Sequence, residues 1–222
     1  MSELASVVVS PKGTHQATVI WLHGLGADGH DFEPIVPELG LRERGVKFVF
    51  PHAPVRPVTI NGGMPMRAWY DILGMDLSVR ADHAGVMDSV DKVNRLVALE
   101  AEAVGFDRIF LAGFSQGGVI AAHTALRLAH PIAGLVMLST YLPLAEVLGE
   151  SRQQPETLPI WMAHGRQDPV VPIMLGRMAY QQLLAWQYAP DWHDYPMPHA
   201  VCPEEIADLR QWWHQQLDVL TD

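Results

Sequence analysis

The stretch Ile109-Phe110-Leu111-Ala112-Gly113-Phe114-Ser115-Gln116-Gly117-Gly118-Val119-Ile120-Ala121-Ala122 carries a strand, a sharp turn and the start of a helix in immediate succession. Ile109–Ala112 is a short apolar run of the buried-strand kind, whereas Gly117–Ala122 is rich in small residues that open a helix. Between them stands Ser115 in the pattern Gly-x-Ser-x-Gly. Such a turn strains its serine and demands small neighbours on both sides, so the pattern has meaning only where a strand enters and a helix leaves. A packing turn with no chemistry is the plainer reading, and the rest of the chain has to decide between them.

Outward from this turn, short apolar runs bounded by Gly, Pro or Asp recur at Ala17–Leu22, Val46–Phe50, Arg108–Ala112, Ile132–Leu138, Leu158–Ala163 and Asp191–Tyr195. Continuous apolar runs of this length suit parallel strands covered on both faces. Between them lie helical patterns. Val90, Val93, Val97 and Val104 share one face of Val86–Val104, Gln116–Leu128 is rich in Ala and Leu, and Glu204–Leu217 repeats Ile206, Leu209, Trp213 and Leu217. Strand alternating with helix predicts an α/β fold with a mostly parallel, doubly wound sheet and helices on both faces. No linker, repeat or low-complexity tract divides the chain, so residues 1–222 are expected to form one domain. Pro51–Tyr70 has four prolines and Asn61-Gly62-Gly63, and is expected to be an ordered loop rather than a regular element.

The formal net charge of −10 disfavours nucleic acid and anionic membrane surfaces as partners. The single cysteine, Cys202, has no intrachain partner for a disulfide and is expected to pack under the last helix. The first residues lack the pattern of a signal peptide, and no apolar run approaches the ~20 residues of a membrane span, so a cytoplasmic location is expected.

If Ser115 is a nucleophile, an acid and a histidine should follow it in that order, each at the carboxyl end of a strand. Leu158–Ala163 runs into His164-Gly165-Arg166-Gln167-Asp168-Pro169, which makes Asp168 the candidate acid. Of the later histidines, His214 lies in the final helical pattern and His193 inside a strand. His199, in Pro196-Met197-Pro198-His199-Ala200, falls in the loop between them and is the candidate base. The separations of 53 residues from Ser115 to Asp168 and 31 from Asp168 to His199 leave room for a strand and a helix between successive loops. Alone, Asp168 reads equally as a turn cap and His199 as a loop residue.

Attack on a carbonyl places negative charge on its oxygen, which needs two prearranged donors. One is expected from the backbone N–H of Gln116, at a helix start whose dipole also favours an anion. The glycine-rich loop Trp21-Leu22-His23-Gly24-Leu25-Gly26-Ala27-Asp28-Gly29 follows a strand, and the Leu25 N–H is assigned as the second donor. Neither phosphate-loop spacing appears there, and His23 has no partner at metal-ligand spacing, so a structural hydrogen bond is the expected role of that imidazole. No metal and no cofactor are expected.

Together these segments resemble the phospholipase/carboxylesterase family, which includes bacterial carboxylesterases and acyl-protein thioesterases. The resemblance runs through His23–Gly29, Pro51-His52-Ala53-Pro54, Met64–Asp71, Gly113–Gly118, His164–Pro172 and His199 with Glu204-Glu205-Ile206. It implies the α/β-hydrolase fold, a Ser115, Asp168 and His199 triad, and oxyanion donors at Leu25 and Gln116. It also implies an acyl-enzyme route to hydrolysis of carboxylic esters or thioesters. Lysophospholipid or acylated protein are the alternative substrates, and bacterial relatives make a homodimer an expectation. One departure stands out: members more usually carry glycine before the histidine and serine after it, where this chain has Pro198 and Ala200. Met64, Met66, Trp69, Leu73 and Met75 form an apolar segment that either lines the acyl site or fills the core; Trp69, Leu73 and Met75 are the candidate substrate contacts. A hydrolase-fold receptor that binds without turnover, and a serine peptidase on the same fold, are the rival readings.

Overall fold

The computed structural model describes residues 4–74 and 81–220. Four of the six strands expected from apolar runs form the middle of one sheet: β2 (Ala17–Leu22), β6 (Ile109–Phe114), β7 (Gly134–Leu138) and β8 (Ile160–Gly165). The other two flank them as β3 (Val46–Pro51) and β9 (Asp191–Tyr195), and β1 (Ser6–Val9) pairs antiparallel with β3. The order is β1-β3-β2-β6-β7-β8-β9, with every pair except β1–β3 parallel. The sheet is therefore wound in both directions from β2. Both outer strands are less buried than the middle ones, and β9 carries Asp191, His193 and Asp194, charge and polarity that suit an edge exposed to solvent.

Every residue of β2 and β8 is buried, because side chains alternate between two covered faces. Ile20, Leu22, Leu111, Met137 and Met162 point to one face. There they meet Val86, Val90, Val93 and Val97 of α2 (His83–Val104), Val119 and Ile120 of α3 (Gln116–Arg127), and Ala179 and Leu183 of α5 (Ile173–Ala185). Val19, Trp21, Phe110, Val136 and Trp161 point to the other face, against Val36 and Leu39 of α1 (Val36–Leu39) and Ile206, Leu209, Trp213 and Leu217 of α6 (Pro203–Val219). Fully burying a large apolar side chain stabilises by about 1.5–3 kcal/mol, so the helical stripes bind their helices to opposite faces. A short helix, α4 (Ala145–Ser151), follows β7.

Pro51–Tyr70 differs from the expectation of a loop. It contains a hairpin of β4 (Val55–Val58) and β5 (Met64–Arg67), turned through Gly62 and Gly63 in the left-handed region. Pro57 and Pro65 stand directly opposite each other in this two-stranded ribbon. Neither has an N–H to donate, and a ribbon outside the main sheet has no further neighbour that needs one. Cys202 is the N-cap position of α6, half-buried against the apolar residues between the sheet and α6, and His214 is half-buried with its ring against the Leu39 carbonyl.

Candidate active site

Ser115 joins β6 to α3 with φ 53° and ψ −120°, a backbone that costs a non-glycine residue on the order of 1–3 kcal/mol. Neighbours hold it there. Its N–H donates to the Leu138 carbonyl at 2.9 Å, and its own carbonyl accepts from Thr140 Oγ1 at 2.6 Å and Gly118 N–H at 3.0 Å. Gly117 is required by close approach, since a Cβ there would lie 2.2 Å from the Leu22 carbonyl oxygen. The glycine after the serine thus lets the helix start press against the end of β2.

Asp168 and His199 come from the loops after β8 and β9. The loops are joined by Arg166 N–H to the Tyr195 carbonyl at 2.8 Å and Gln167 N–H to the Met197 carbonyl at 3.1 Å. Gly165 makes this possible, because a Cβ there would lie 2.4 Å from the carbonyl oxygens of both Met197 and Pro198. Asp168 Oδ1 accepts from the Val170 and Val171 N–H groups at 2.8 Å each, and Oδ2 accepts from His199 Nδ1 at 2.6 Å. Burial pushes this carboxyl's pKa up, but the His199 bond and the two backbone donors outweigh it and hold it below the usual value. A carboxylate on Nδ1 places the proton there and leaves Nε2 as the ring's basic nitrogen. The His199 ring packs on Phe114 with centroids 4.7 Å apart, next to Ser115 in the chain.

A second imidazole lies beneath the Asp168 carboxylate. His164 is buried, donates from Nε2 to the Val171 carbonyl at 2.8 Å, and lies 3.6 Å from Asp168 Oδ2. Burial lowers its pKa, so it stands as a neutral ring beneath the carboxylate. The sequence pattern assigns His164 no role; its position as the penultimate residue of a buried strand is the only hint.

The glycine-rich loop after β2 lies against the serine, since a Cβ on Gly24 would sit 3.5 Å from Ser115 Cβ. His23 fixes this loop. Its Nε2 accepts from Ala53 N–H at 3.0 Å, which leaves Nδ1 to donate to the Gly24 carbonyl at 2.7 Å. Burial drives its pKa down to about 4, so the ring is neutral. Among the described residues, neither the Leu25 nor the Gln116 N–H has a hydrogen-bond partner.

Ser115 and His199 line one cavity of about 460 Å³, whose other walls include Leu25, Phe32, Ile35, Phe114 and Val201. A larger concavity of about 680 Å³ between α1 and α6 contains no nucleophile–base pair, so volume alone does not locate the chemistry. The structure places Trp69 elsewhere: it is fully buried, absent from the cavity wall, and its indole N–H donates to the His23 carbonyl at 2.9 Å. Leu73 is half-buried and also away from the cavity wall, and Met75 lies outside the described residues. Phe32, Ile35 and Val201 are the apolar wall residues that no sequence motif marks.

Residues 4–216 match the family described as phospholipase/carboxylesterase. Two fungal proteins named acyl-protein thioesterase 1 are similar to this chain. That of Mycosarcoma maydis is 38% identical, over 94% of this chain and 95% of its own length. That of Neurospora crassa is 37% identical, over 97% and 93%. Among solved structures, Zea mays acyl-protein thioesterase 2 superposes with a TM-score of 0.86 at 30% identity, covering 96% of this chain and 99% of the maize chain. The chain belongs to the phospholipase/carboxylesterase family and is an ester hydrolase of the α/β-hydrolase fold.

Proposed function

We propose that Ser115, His199 and Asp168 act as a catalytic triad that hydrolyses carboxylic esters and thioesters through an acyl-enzyme. The observation that carries this reading is the 2.6 Å bond from His199 Nδ1 to Asp168 Oδ2 beside a serine held at φ 53° in a shared cavity. In the forward step His199 Nε2 takes the Ser115 hydroxyl proton as Oγ attacks the carbonyl carbon, and Asp168 stabilises the imidazolium. The Leu25 and Gln116 N–H groups receive the oxyanion. Collapse of the tetrahedral intermediate breaks the bond to the alkoxide or thiolate leaving group, which takes the proton from His199. Water, deprotonated by the same nitrogen, then attacks the acyl-serine and releases the acid.

The apolar walls formed by Phe32, Ile35 and Val201 suit an acyl chain, and the names of the fungal relatives favour an acyl thioester on protein as the physiological class. Fluorophosphonate labelling tests the nucleophile. Wild-type protein is expected to take one label at Ser115 and Ser115→Ala none, with turnover reduced by about six orders of magnitude. Labelling that persists in Ser115→Ala refutes the assignment. An acyl-chain series of matched p-nitrophenyl esters, acyl-cysteine thioesters and lysophospholipids tests the substrate class. A higher kcat/KM for thioesters is the expected result, and a clear preference for lysophospholipids overturns it.

A further inference from the structure

The side chain of Gln116 has work that its backbone N–H does not explain. Gln116 is 2% exposed, and its amide makes two hydrogen bonds: Oε1 accepts from Trp69 N–H at 2.8 Å and Nε2 donates to the Tyr70 carbonyl at 2.7 Å. Both partners lie in one segment, 46 residues or more away in the chain. The same segment reaches the other proposed donor. The Arg67 carbonyl accepts from Gly26 N–H at 2.9 Å, one residue past Leu25, and the Trp69 indole donates to the His23 carbonyl at 2.9 Å, two residues before it. The segment is in turn tied down by Ala68 N–H to the Pro54 carbonyl at 3.0 Å, Arg67 Nη1 to the Ala53 carbonyl at 2.9 Å, and Ser89 Oγ to the Trp69 carbonyl.

We propose that Arg67–Tyr70 is a spacer between the two oxyanion donors, and that the Gln116 side-chain amide is the positioning group that locks the Ser115 turn to it. This rests on the reading of Leu25 and Gln116 N–H as those donors. The physical argument is one of geometry. The two N–H groups belong to loops that share no element, yet stabilisation of a developing oxyanion requires both at about 2.7–3.1 Å from one point. Each loop is bonded to the same short segment, the glycine-rich loop at Arg67 and Trp69 and the Ser115 turn at Trp69 and Tyr70. A buried primary amide offers two donors and two acceptors, and here it presents one of each to that segment; an apolar residue of similar length fills the space and leaves the Trp69 N–H and Tyr70 carbonyl unpaired.

The test compares Gln116→Met, Gln116→Glu and Trp69→Phe with wild type on a p-nitrophenyl ester, together with affinity for a trifluoromethyl ketone that mimics the oxyanion. Gln116→Met is expected to lower kcat by about 10–100-fold with KM within about twofold, and to weaken the ketone by a similar factor. Gln116→Glu keeps the acceptor for the Trp69 N–H but loses the donor to the Tyr70 carbonyl, so it too should fall below wild type in kcat and ketone affinity. Trp69→Phe, which removes the indole donor together with part of a buried ring while leaving the Trp69 N–H in place, should lower kcat in the same way and combine less than additively with Gln116→Met. Wild-type kcat and ketone affinity in Gln116→Met with a lowered Tm would make the amide purely structural and overturn the proposal. If Gln116→Met does not fold, Trp69→Phe and Gln116→Glu decide by the same readouts, and unchanged kcat and ketone affinity in both overturn it. Turnover that survives Ser115→Ala sinks the underlying reading instead, which separates the two failures.

Discussion

Asp168 and Glu205 are both buried carboxyl groups beside the loop that carries His199, yet their surroundings drive them in opposite directions. Asp168 has three donors: His199 Nδ1 and the Val170 and Val171 N–H groups. Glu205, in the first turn of α6, has neither oxygen in hydrogen-bonding geometry with any described residue. Burial pushes its pKa from 4.5 to about 8, and the adjacent Cys202 N–H opposes this only in part. Depth therefore does not decide ionisation; the number of donors that reach the group does. The charged carboxylate is the one assigned to the proposed triad, and the proton-bearing one lies buried in the first turn of α6.

Several substitutions break or sharpen this contrast, and the largest effect belongs to Asp168. Asp168→Asn keeps the shape but removes the acceptor that holds the proton on His199 Nδ1. It is expected to lower kcat by about 10⁴-fold with little change in folding, measured by steady-state kinetics and circular dichroism. Retained activity would remove Asp168 from the proposed triad.

Glu205 predicts a stability effect of opposite sign to that of Asp168. Its folded pKa is raised, so its contribution is complete below pH 4.5 and is lost as pH climbs through about 8. The lowered pKa of Asp168 contributes stability above its unfolded value of 3.8 that is lost as pH falls. Glu205→Gln cannot ionise. It should match wild type in urea denaturation at pH 5 and exceed it at pH 9 by on the order of a few kcal/mol. An unchanged difference between the two pH values would show that Glu205 ionises freely.

Two neutral imidazoles extend the contrast to the acid side. His23 and His123 are buried with pKa values of about 4, so each contributes stability above 6.5 that disappears as pH falls toward 4. His123 is fixed by donation from Nε2 to the Pro143 carbonyl at 2.8 Å and by Arg127 donating to Nδ1 at 2.7 Å. His123→Gln should make the decline in urea midpoint between pH 7 and pH 5 shallower than in wild type. The variant's lower stability at pH 7 does not affect that comparison of slopes. The smallest effect is expected at Pro198, whose carbonyl accepts from Ala200 N–H at 2.9 Å. Pro198→Gly frees the unfolded chain and should cost about 0.4–1 kcal/mol, read as a lowered Tm.

The sequence by itself determined the parts whose physics is local. Alternating strand and helix patterns placed the sheet, and the strand entering Gly113–Gly117 located the strained serine. Chain order singled out Asp168 and His199, which the fold brings into hydrogen-bond contact. The hairpin of Val55–Val58 and Met64–Arg67 was not legible, because its prolines read as breakers and are tolerated only in a ribbon with no third strand to satisfy. Trp69 illustrates the same limit: an aromatic residue in an apolar segment reads equally as wall or core, and only the fold put its indole against the His23 carbonyl. The tertiary structure alone also decided that His164 lies under Asp168, that little more than the Cys202 N–H opposes the burial of Glu205, and that the Gln116 amide reaches Trp69 and Tyr70. Each of these depends on which groups from distant segments share a buried volume, and no local pattern of polarity or spacing encodes that.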